Sequence, residues 1–143
     1  MNSPDYDSYC TPLIGLALRS VEKKDYSWIF VFADDISIMT EDAWRLLSAD
    51  GIVITSQDHG HQFGLPAPVD AAKSVLAGVS MKVVVTASIT RPTADLTLDF
   101  GGHSHLQFFQ LSSGYESWRL YSHGSQTICI GGGDIAHFPP PVT

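Results

Sequence analysis

Four short apolar segments occur twice in this chain in the same order, and this repetition constrains the fold more than any other feature. The segment Trp44–Ser48 (WRLLS) resembles Trp118–Ser122 (WRLYS). The other matches are Leu13–Leu16 with Leu76–Val79, Trp28–Phe32 with Leu96–Phe100, and Ile52–Ile54 with Ile128–Ile130. Because two copies are too few for a solenoid, the repetition predicts two similar β-rich halves, about 13–56 and 76–138, that share one core.

Each half consists of short apolar runs separated by turn residues, a pattern that predicts an antiparallel meander. The predicted strands are Leu16–Lys23, Ser27–Ala33, Ile36–Met39, Ala43–Ser48 and Gly51–Ser56 in the first half, and Ser80–Ile89, Asp95–Phe100, His103–Phe109, Glu116–Ser122 and Gln126–Gly131 in the second. Leu96, Leu98 and Phe100 alternate with polar residues, as expected of a strand with one buried face. Trp44 and Trp118 are expected to fill matching core or rim positions.

One helix is predicted between the halves, over about residues 68–76. Pro68 suits the first turn of a helix, Asp70 suits its positive N-terminal end, and Gly78 can end it. The chain has 143 residues, which is the length of one domain. The sequence therefore predicts a single α+β domain over 1–143, β-dominated, with two antiparallel β-meander halves and one helix between them.

The termini and the cysteines indicate a cytoplasmic protein without a cofactor. The N-terminal residues lack the basic and apolar regions of a secretory signal, and no apolar run approaches the roughly 18 residues of a membrane span. Cys10 lies in a predicted flexible arm, and neither it nor Cys129 fits a zinc or redox spacing, so both are expected to be free thiols. The prolines after Phe138 predict an irregular C-terminus, because proline cannot continue a central strand.

The charge balance favours a protein partner. The chain has 15 acidic and 8 basic residues and a formal net charge of −7. A nucleic-acid binder needs a basic surface, and so does a protein that binds an anionic membrane, so both partner classes are disfavoured. An acidic protein is instead suited to a basic protein partner, which its charge attracts over a distance.

Eight residues are candidates for contact with such a partner. Six acidic residues lie in predicted turns or loops of the first half: Asp34, Asp35, Glu41, Asp42, Asp50 and Asp58. They can form a solvated rim, or a negative patch that steers a basic protein into place. Tyr115 and Glu116 precede Trp118 at a predicted hairpin end, where aromatic and acidic groups often form interface contacts.

Parts of the sequence resemble an uncharacterised family of small bacterial proteins. Tyr115–Leu120 matches that family's Tyr-Glu-x-Trp-x-Leu motif, and the glycines after Ile128–Ile130 match its Gly-Gly turn. Phe32–Asp35 matches its acidic hairpin, whereas glycines and a histidine follow Phe100 where the family has acidic residues. The resemblance spans roughly residues 13–138 and implies a fold type and an interaction role, because some members are associated with toxin–immunity loci. The family has no established catalytic residues.

Two His-x-His pairs provide an alternative, which is a metal- or ligand-binding protein. The pairs are His59 with His61 and His103 with His105. On a strand, both imidazoles of a pair would lie on one face, and neutral imidazole is a common ligand of zinc, copper and nickel. The spacing is nevertheless weak evidence, because no CxxC or HExxH frame accompanies it.

The sequence contains no recognisable catalytic frame. It has no Gly-x-Ser-x-Gly elbow, and Gly131–Gly133 lacks the lysine of a phosphate-binding loop. We therefore expect a non-catalytic protein-binding module, most specifically a bacterial immunity protein that blocks the active site of a cognate toxin. Besides the metal-binding alternative, a self-associating structural domain is a third possibility, so the protein is expected to be a monomer or a homodimer.

Overall fold

The computed structural model describes residues 5–142, which form two β-sheets, one α-helix and short 3₁₀ helices. The strands are β1 (Leu18–Lys24), β2 (Ser27–Phe32), β3 (Ser37–Thr40), β4 (Trp44–Ser48), β5 (Gly51–Thr55), β6 (Thr86–Thr90), β7 (Asp95–Asp99), β8 (His105–Phe108), β9 (Trp118–Ser122), β10 (Ser125–Ile130) and β11 (Asp134–Phe138). The helix α1 is Ala71–Gly78, and the 3₁₀ helices are Tyr6–Leu13, Ala33–Asp35 and Ser56–Asp58. Within residues 5–142, no helix is long and apolar enough to cross a lipid bilayer.

The two sheets are antiparallel and have the orders β1-β2-β3-β9-β10-β11 and β5-β4-β8-β7-β6. Buried side chains from both sheets form one hydrophobic cluster, in which Trp44 and Trp118 are fully buried and so occupy core rather than rim positions. Phe30 packs edge-on against both Trp44 and Phe108 in this cluster. The predicted β-dominated α+β class is thus confirmed.

Neither predicted half forms a sheet of its own, so the prediction of two meander halves is not confirmed. The first half supplies β1–β3 to the six-stranded sheet and β4–β5 to the five-stranded sheet. The second half supplies β6–β8 to the five-stranded sheet and β9–β11 to the six-stranded sheet. The chain crosses between sheets in the short link 41–43 and again in the segment 109–117. Strands of both halves therefore meet within each sheet.

The two places where the halves meet have the same strand register. In the six-stranded sheet, β3 pairs with β9 so that Thr40 lies opposite Trp118. In the five-stranded sheet, β8 pairs with β4 so that Phe108 lies opposite Trp44. We call these pairings the β3–β9 seam and the β8–β4 seam. Both tryptophans therefore begin a seam strand and point into the shared core.

The helix begins three residues later than predicted because the backbone of Val69 is already paired. Its N–H donates to His61, and its carbonyl accepts from Gly60, at 2.7 and 2.9 Å. Asp70 is the N-cap, and its side chain accepts from the N–H of Lys73 at 3.1 Å. The helix packs against β1 and β5 and so connects the edges of the two sheets.

Several predicted strand limits are also wrong. The strand predicted from Ser80 begins only at Thr86, because Val84 is hydrogen-bonded to Gly15 and Leu16 instead. The strand predicted from His103 begins at His105, because His103 lies in the β7–β8 turn with φ of +69°. His103 therefore does not share a strand face with His105.

The terminal segments are more ordered than the sequence indicates. Cys10 and Leu13 are fully buried in the first 3₁₀ helix, so the predicted flexible arm packs into the core instead. Burial raises the pKa of the Cys10 thiol to about 12. Near the other end, the unpredicted strand β11 pairs with β10 and ends at Phe138, directly before the prolines. Both cysteines are free and buried.

Candidate binding groove

A groove of about 700 Å³ lies at one end of the β3–β9 seam. We call it the acidic groove, because three carboxylates and one guanidinium are among its lining groups. Its lining residues are Tyr26, Met39, Glu41, Asp42, Gly114, Tyr115, Glu116, Ser117 and Arg119. Four of the eight predicted contact residues, Glu41, Asp42, Tyr115 and Glu116, are therefore brought together here.

The register of the β3–β9 seam explains why these residues meet. Thr40 ends β3 and lies opposite Trp118, which begins β9. Because the strands are antiparallel, the residues after Thr40 and the residues before Trp118 leave the sheet at the same end. Glu41 and Asp42 are thereby placed beside the segment 115–117, although they are far from it in sequence.

Hydrogen bonds hold the loop that carries Tyr115. The Ser112 hydroxyl accepts from the N–H groups of Gly114 and Tyr115 at 3.0 and 2.9 Å. The Gln110 side-chain amide donates to the carbonyls of Tyr115 and Ile130, both at 3.0 Å. The loop is thus tied to the end of β10, while the Tyr115 side chain stays 82% exposed.

Asp42 is partly buried at the inner wall of the groove. Its backbone N–H donates to the Thr40 hydroxyl at 3.1 Å. Burial raises the pKa of its carboxyl, the backbone of Leu111 partly opposes that rise, and the charge of Glu41 adds to it. One carboxyl oxygen, Oδ2, is covered and has no hydrogen-bond partner among the described residues.

Ser117 supplies a second covered oxygen. The residue is only 5% exposed, and its backbone N–H donates to the carbonyl of Cys129 at 3.0 Å. Its hydroxyl faces the Cys129 thiol, whose pKa burial raises and this hydroxyl lowers, and within residues 5–142 it has no hydrogen-bond partner of standard geometry. Unpaired buried oxygens are rare in folded proteins, and both of these are closed off from solvent although their residues line the groove.

The groove rim carries an ion pair between Arg119 and Glu116. The hydrogen bond with Tyr121 is the largest cause that raises the pKa of Arg119, and Glu116 raises it further against the opposing effect of burial. Both side chains of the pair are more than one-third exposed. Such a pair adds little to stability, and it leaves Glu41 and Asp42 as the excess negative charge of the groove.

Two other predicted contact residues lie elsewhere, in a smaller depression of about 390 Å³. Asp34 and Asp35 border it in the β2–β3 turn, where both have positive φ values. The Asp34 carboxylate lies 3.0 Å from the ring nitrogen Nε2 of His123, which joins this turn to the β9–β10 turn.

The last two acidic candidates line neither cavity. The backbone N–H of Asp50 donates to the Ser48 hydroxyl at 3.2 Å in the β4–β5 turn. Asp58 accepts from the N–H of Thr55 at 3.0 Å and completes a capping box around its 3₁₀ helix. The Asp58 carboxylate therefore serves as a local cap of this 3₁₀ helix.

The four predicted histidines have separate surroundings. The His59 Nδ1 accepts from the first helical N–H of α1 at 3.1 Å, and its ring packs edge-on against Trp28. His61 stacks on Phe63, His105 lies 3.6 Å from Asp99, and His103 occupies a turn. Among residues 5–142, no group of three or more His, Cys, Asp or Glu side chains is arranged to hold a metal ion.

Sequence reasoning missed Tyr26, Met39, Ser117 and Arg119 as groove residues. Tyr26 is 88% exposed in the β1–β2 turn, and an aromatic residue between turn residues was an available signal. The other three depend on the pairing of β3 with β9, for which the local sequence contains no signal. Comparisons of the chain with protein-family models, curated proteins and solved structures give no match.

Proposed function

We propose that this protein is a non-catalytic binding module that docks a basic protein partner in the acidic groove. The observation that carries the proposal is the convergence of Glu41 and Asp42 with Tyr115 and Glu116 from a distant segment. Exposed aromatic and acidic groups at the mouth of a concave surface suit contact with a macromolecule. The net charge of −7 supports electrostatic attraction of a basic partner.

The most specific form of the proposal is an immunity protein that acts in the cytoplasm and covers the active site of a cognate toxin. The family resemblance of the segment 115–120 supports this form, and so does the acidic character of the groove. Tight inhibition needs an interface of standard size, roughly 800 Å² on each partner, with a few well-buried anchors. The groove and its rim would form the centre of that interface.

The test is co-expression with the product of the adjacent gene, followed by a binding measurement. We expect Glu41→Lys to weaken binding at least about tenfold, because it reverses a charge at the groove mouth. Asp50→Lys makes the same charge change outside the groove and should bind like the parent protein. Absence of binding at micromolar concentration, or equal losses in the two variants, contradicts the proposal.

A second candidate function is self-association through the outer edge of β5. Among residues 5–142, this strand pairs only with β4, and its Ile52 and Val53 side chains are exposed. The other sheet edges are guarded: β1 carries charged residues, prolines follow β11, and Asp7 accepts from a β6 N–H. The helix α1 also packs against β5, so pairing with a second copy would use the uncharged, exposed stretch at Ile52 and Val53.

Light scattering over a concentration series tests this candidate. A dimer that Val53→Lys dissociates, and that Thr86→Lys on the guarded β6 edge leaves intact, would support it. A monomer at every concentration would reject it, as would equal dissociation by both substitutions.

A further inference from the structure

We infer that the segment Phe138–Pro141 is a second docking element, which a partner protein binds as a polyproline II helix in an aromatic-lined groove. The segment does not line the acidic groove, so this inference goes beyond the proposed function and does not depend on it. It depends on the backbone conformation that three consecutive prolines impose, on the exposure of the segment, and on its contact with the β9–β10 turn.

The sequence restricts the backbone of this segment to one conformation. The proline ring holds φ at about −65°, and a residue before proline is driven to an extended ψ of roughly +120 to +160°. Pro139 and Pro140 are subject to both restrictions, because each is a proline that precedes a proline. Within residues 5–142, none of these three prolines follows a cis peptide bond. Trans peptides with these angles form a polyproline II helix.

The segment is exposed and leaves the six-stranded sheet at its edge. The strand β11 ends at Phe138, whose side chain is 55% exposed, and the prolines after it are exposed as well. Prolines have no N–H group, so these residues cannot donate to another strand. Within residues 5–142, no backbone N–H donates to the carbonyls of Pro139, Pro140 or Pro141. The segment therefore presents apolar rings and hydrogen-bond acceptors to a partner.

The β9–β10 turn supports one side of the proline segment. A Cβ atom built on Gly124 of that turn would lie 3.5 Å from the Pro140 Cβ and 3.8 Å from the Pro141 Cδ. The turn and the segment belong to the same sheet, because β10 pairs with both β9 and β11. The segment is thus already held in its extended form, and a partner loses less conformational entropy on binding it.

These properties specify the kind of groove that fits the segment. Protein grooves that recognise polyproline II helices are lined with aromatic side chains. Trp and Tyr supply flat faces for the proline rings, and their N–H and O–H groups can donate to the carbonyls. Phe138 adds an exposed aromatic ring directly before the prolines, and aromatic residues are enriched at interfaces. The partner is therefore a protein with a polyproline-binding groove and an apolar pocket beside it.

The exposed loop before α1 lacks this combination and so supplies matched controls. Pro66 and Pro68 are exposed there, but Ala67 separates them and does not have the fixed φ of proline. Phe63 in the same loop is 67% exposed and is not followed by proline. Pro66 is therefore the control for Pro140, and Phe63 is the control for Phe138.

The experiment titrates the isotope-labelled full chain with purified SH3, WW and EVH1 domains, which all contain polyproline-binding grooves. We expect micromolar binding of at least one domain, with shifts in the backbone amide signals of Phe138 and Gly124. Pro140→Ala should weaken this binding at least about tenfold, because it removes a ring and releases the backbone. Phe138→Ala should weaken it by a similar factor, whereas Pro66→Ala and Phe63→Ala should bind like the parent protein.

Spectra of the free variants establish that each is folded before it is titrated. The inference is overturned if none of the three domains binds at millimolar concentration, or if Pro66→Ala loses as much affinity as Pro140→Ala. Self-association of the free chain that Pro140→Ala abolishes would assign the segment to a second copy of the chain, and this result also overturns the inference.

The Glu41→Lys variant separates this inference from the proposed function. Glu41 lines the acidic groove, so its replacement should weaken the complex with the adjacent gene product and leave binding of the polyproline-binding domain unchanged. An equal loss of domain binding in Glu41→Lys and Pro140→Ala would place the contact at the groove and overturn the inference. Domain binding without a complex with the adjacent gene product would leave the inference standing and reject the proposed function.

Discussion

Trp44 and Trp118 occupy the same register position in the two seams, but their indole groups have different surroundings. The Nε1 of Trp118 donates to the carbonyl of Ala94 at 2.9 Å. The Nε1 of Trp44 is buried and has no partner within residues 5–142. The Trp44 ring instead packs edge-on against Trp28 and Phe30, with centroids 5.1 and 5.2 Å apart. One seam position is therefore hydrogen-bonded, and the other depends on aromatic packing alone.

The seams also differ in what lies beyond them. In the six-stranded sheet, β11 pairs with the outer side of β10, and Cys129 of β10 is fully buried. In the five-stranded sheet no described strand covers β5, and Ile52 is 59% exposed. The polar groups of the acidic groove cluster at the first seam, beside the better-covered sheet. The buried oxygens of Asp42 and Ser117 thus lie beside the sheet that has more strands around its seam.

The largest expected effect is the loss of either tryptophan. Trp44→Ala and Trp118→Ala should each lower the free energy of unfolding by about 3–5 kcal/mol, because both side chains are fully buried. Urea denaturation measures the change. An effect below about 1 kcal/mol in either variant would show that the two positions are not equivalent core positions.

The next largest effect concerns the turn that adds β11. Gly133 has φ of +91°, and a side chain there would overlap the carbonyl oxygen of Pro92. Gly133→Ala should therefore lower the free energy of unfolding by about 2 kcal/mol or more. Gly114→Ala is the control, because a methyl group at Gly114 would have no neighbour within 4 Å and the φ of that residue is not positive. Similar stability of the two variants would contradict this role for Gly133.

Local patterns predicted the strands well because alternation and turn residues are local properties. The WRL segments at Trp44 and Trp118 were predicted to lie in strands, and both do. Strand pairing could not be predicted in this way. β3 pairs with β9, which is far from it in the sequence, and no local signal specifies that partner. Because strand pairing was not predicted, Ser117 and Arg119 were missing from the predicted site. Glu41, Asp42, Tyr115 and Glu116 were included in it.

The predictions for β11 and for the segment around Cys10 failed for other physical reasons. β11 was missed because it lies between glycines and prolines, which usually indicate loops. Its edge position explains why the prolines are tolerated there. Cys10 was placed in a flexible arm because a short segment with Pro12 has no clear periodicity. Its burial depends on a tertiary contact that the local sequence does not reveal.

A third prediction tests the contrast between the indole groups directly. Trp118→Phe should destabilise the protein about 1 kcal/mol more than Trp44→Phe, because only Trp118 loses a hydrogen bond. In Trp118→Phe, the Ala94 carbonyl would keep only the Cys129 thiol as a donor. This thiol lies 3.5 Å from the carbonyl and is a weak donor. Chemical denaturation of both variants measures the difference. Equal losses would mean that the Trp118 hydrogen bond contributes no net stability.

The smallest expected effect is the pH dependence that Asp42 contributes. Burial raises the pKa of its carboxyl in the folded protein above the value of the unfolded chain. The folded state therefore binds the proton more tightly, and ionisation of Asp42 costs stability. Its contribution is most favourable below the unfolded pKa and is lost as the pH rises through the folded pKa.

Asp42→Asn removes this titration, so its stability relative to the parent protein should be highest near neutral pH and should fall on acidification. Because Asp42 is only partly buried, solvent screening limits the change to about 0.5 kcal/mol. Denaturation at about pH 7 and about pH 4 measures it, and Asp50→Asn controls for the altered net charge. A relative stability that rises on acidification would mean that hydrogen bonding in the groove stabilises the ionised carboxylate more than burial destabilises it.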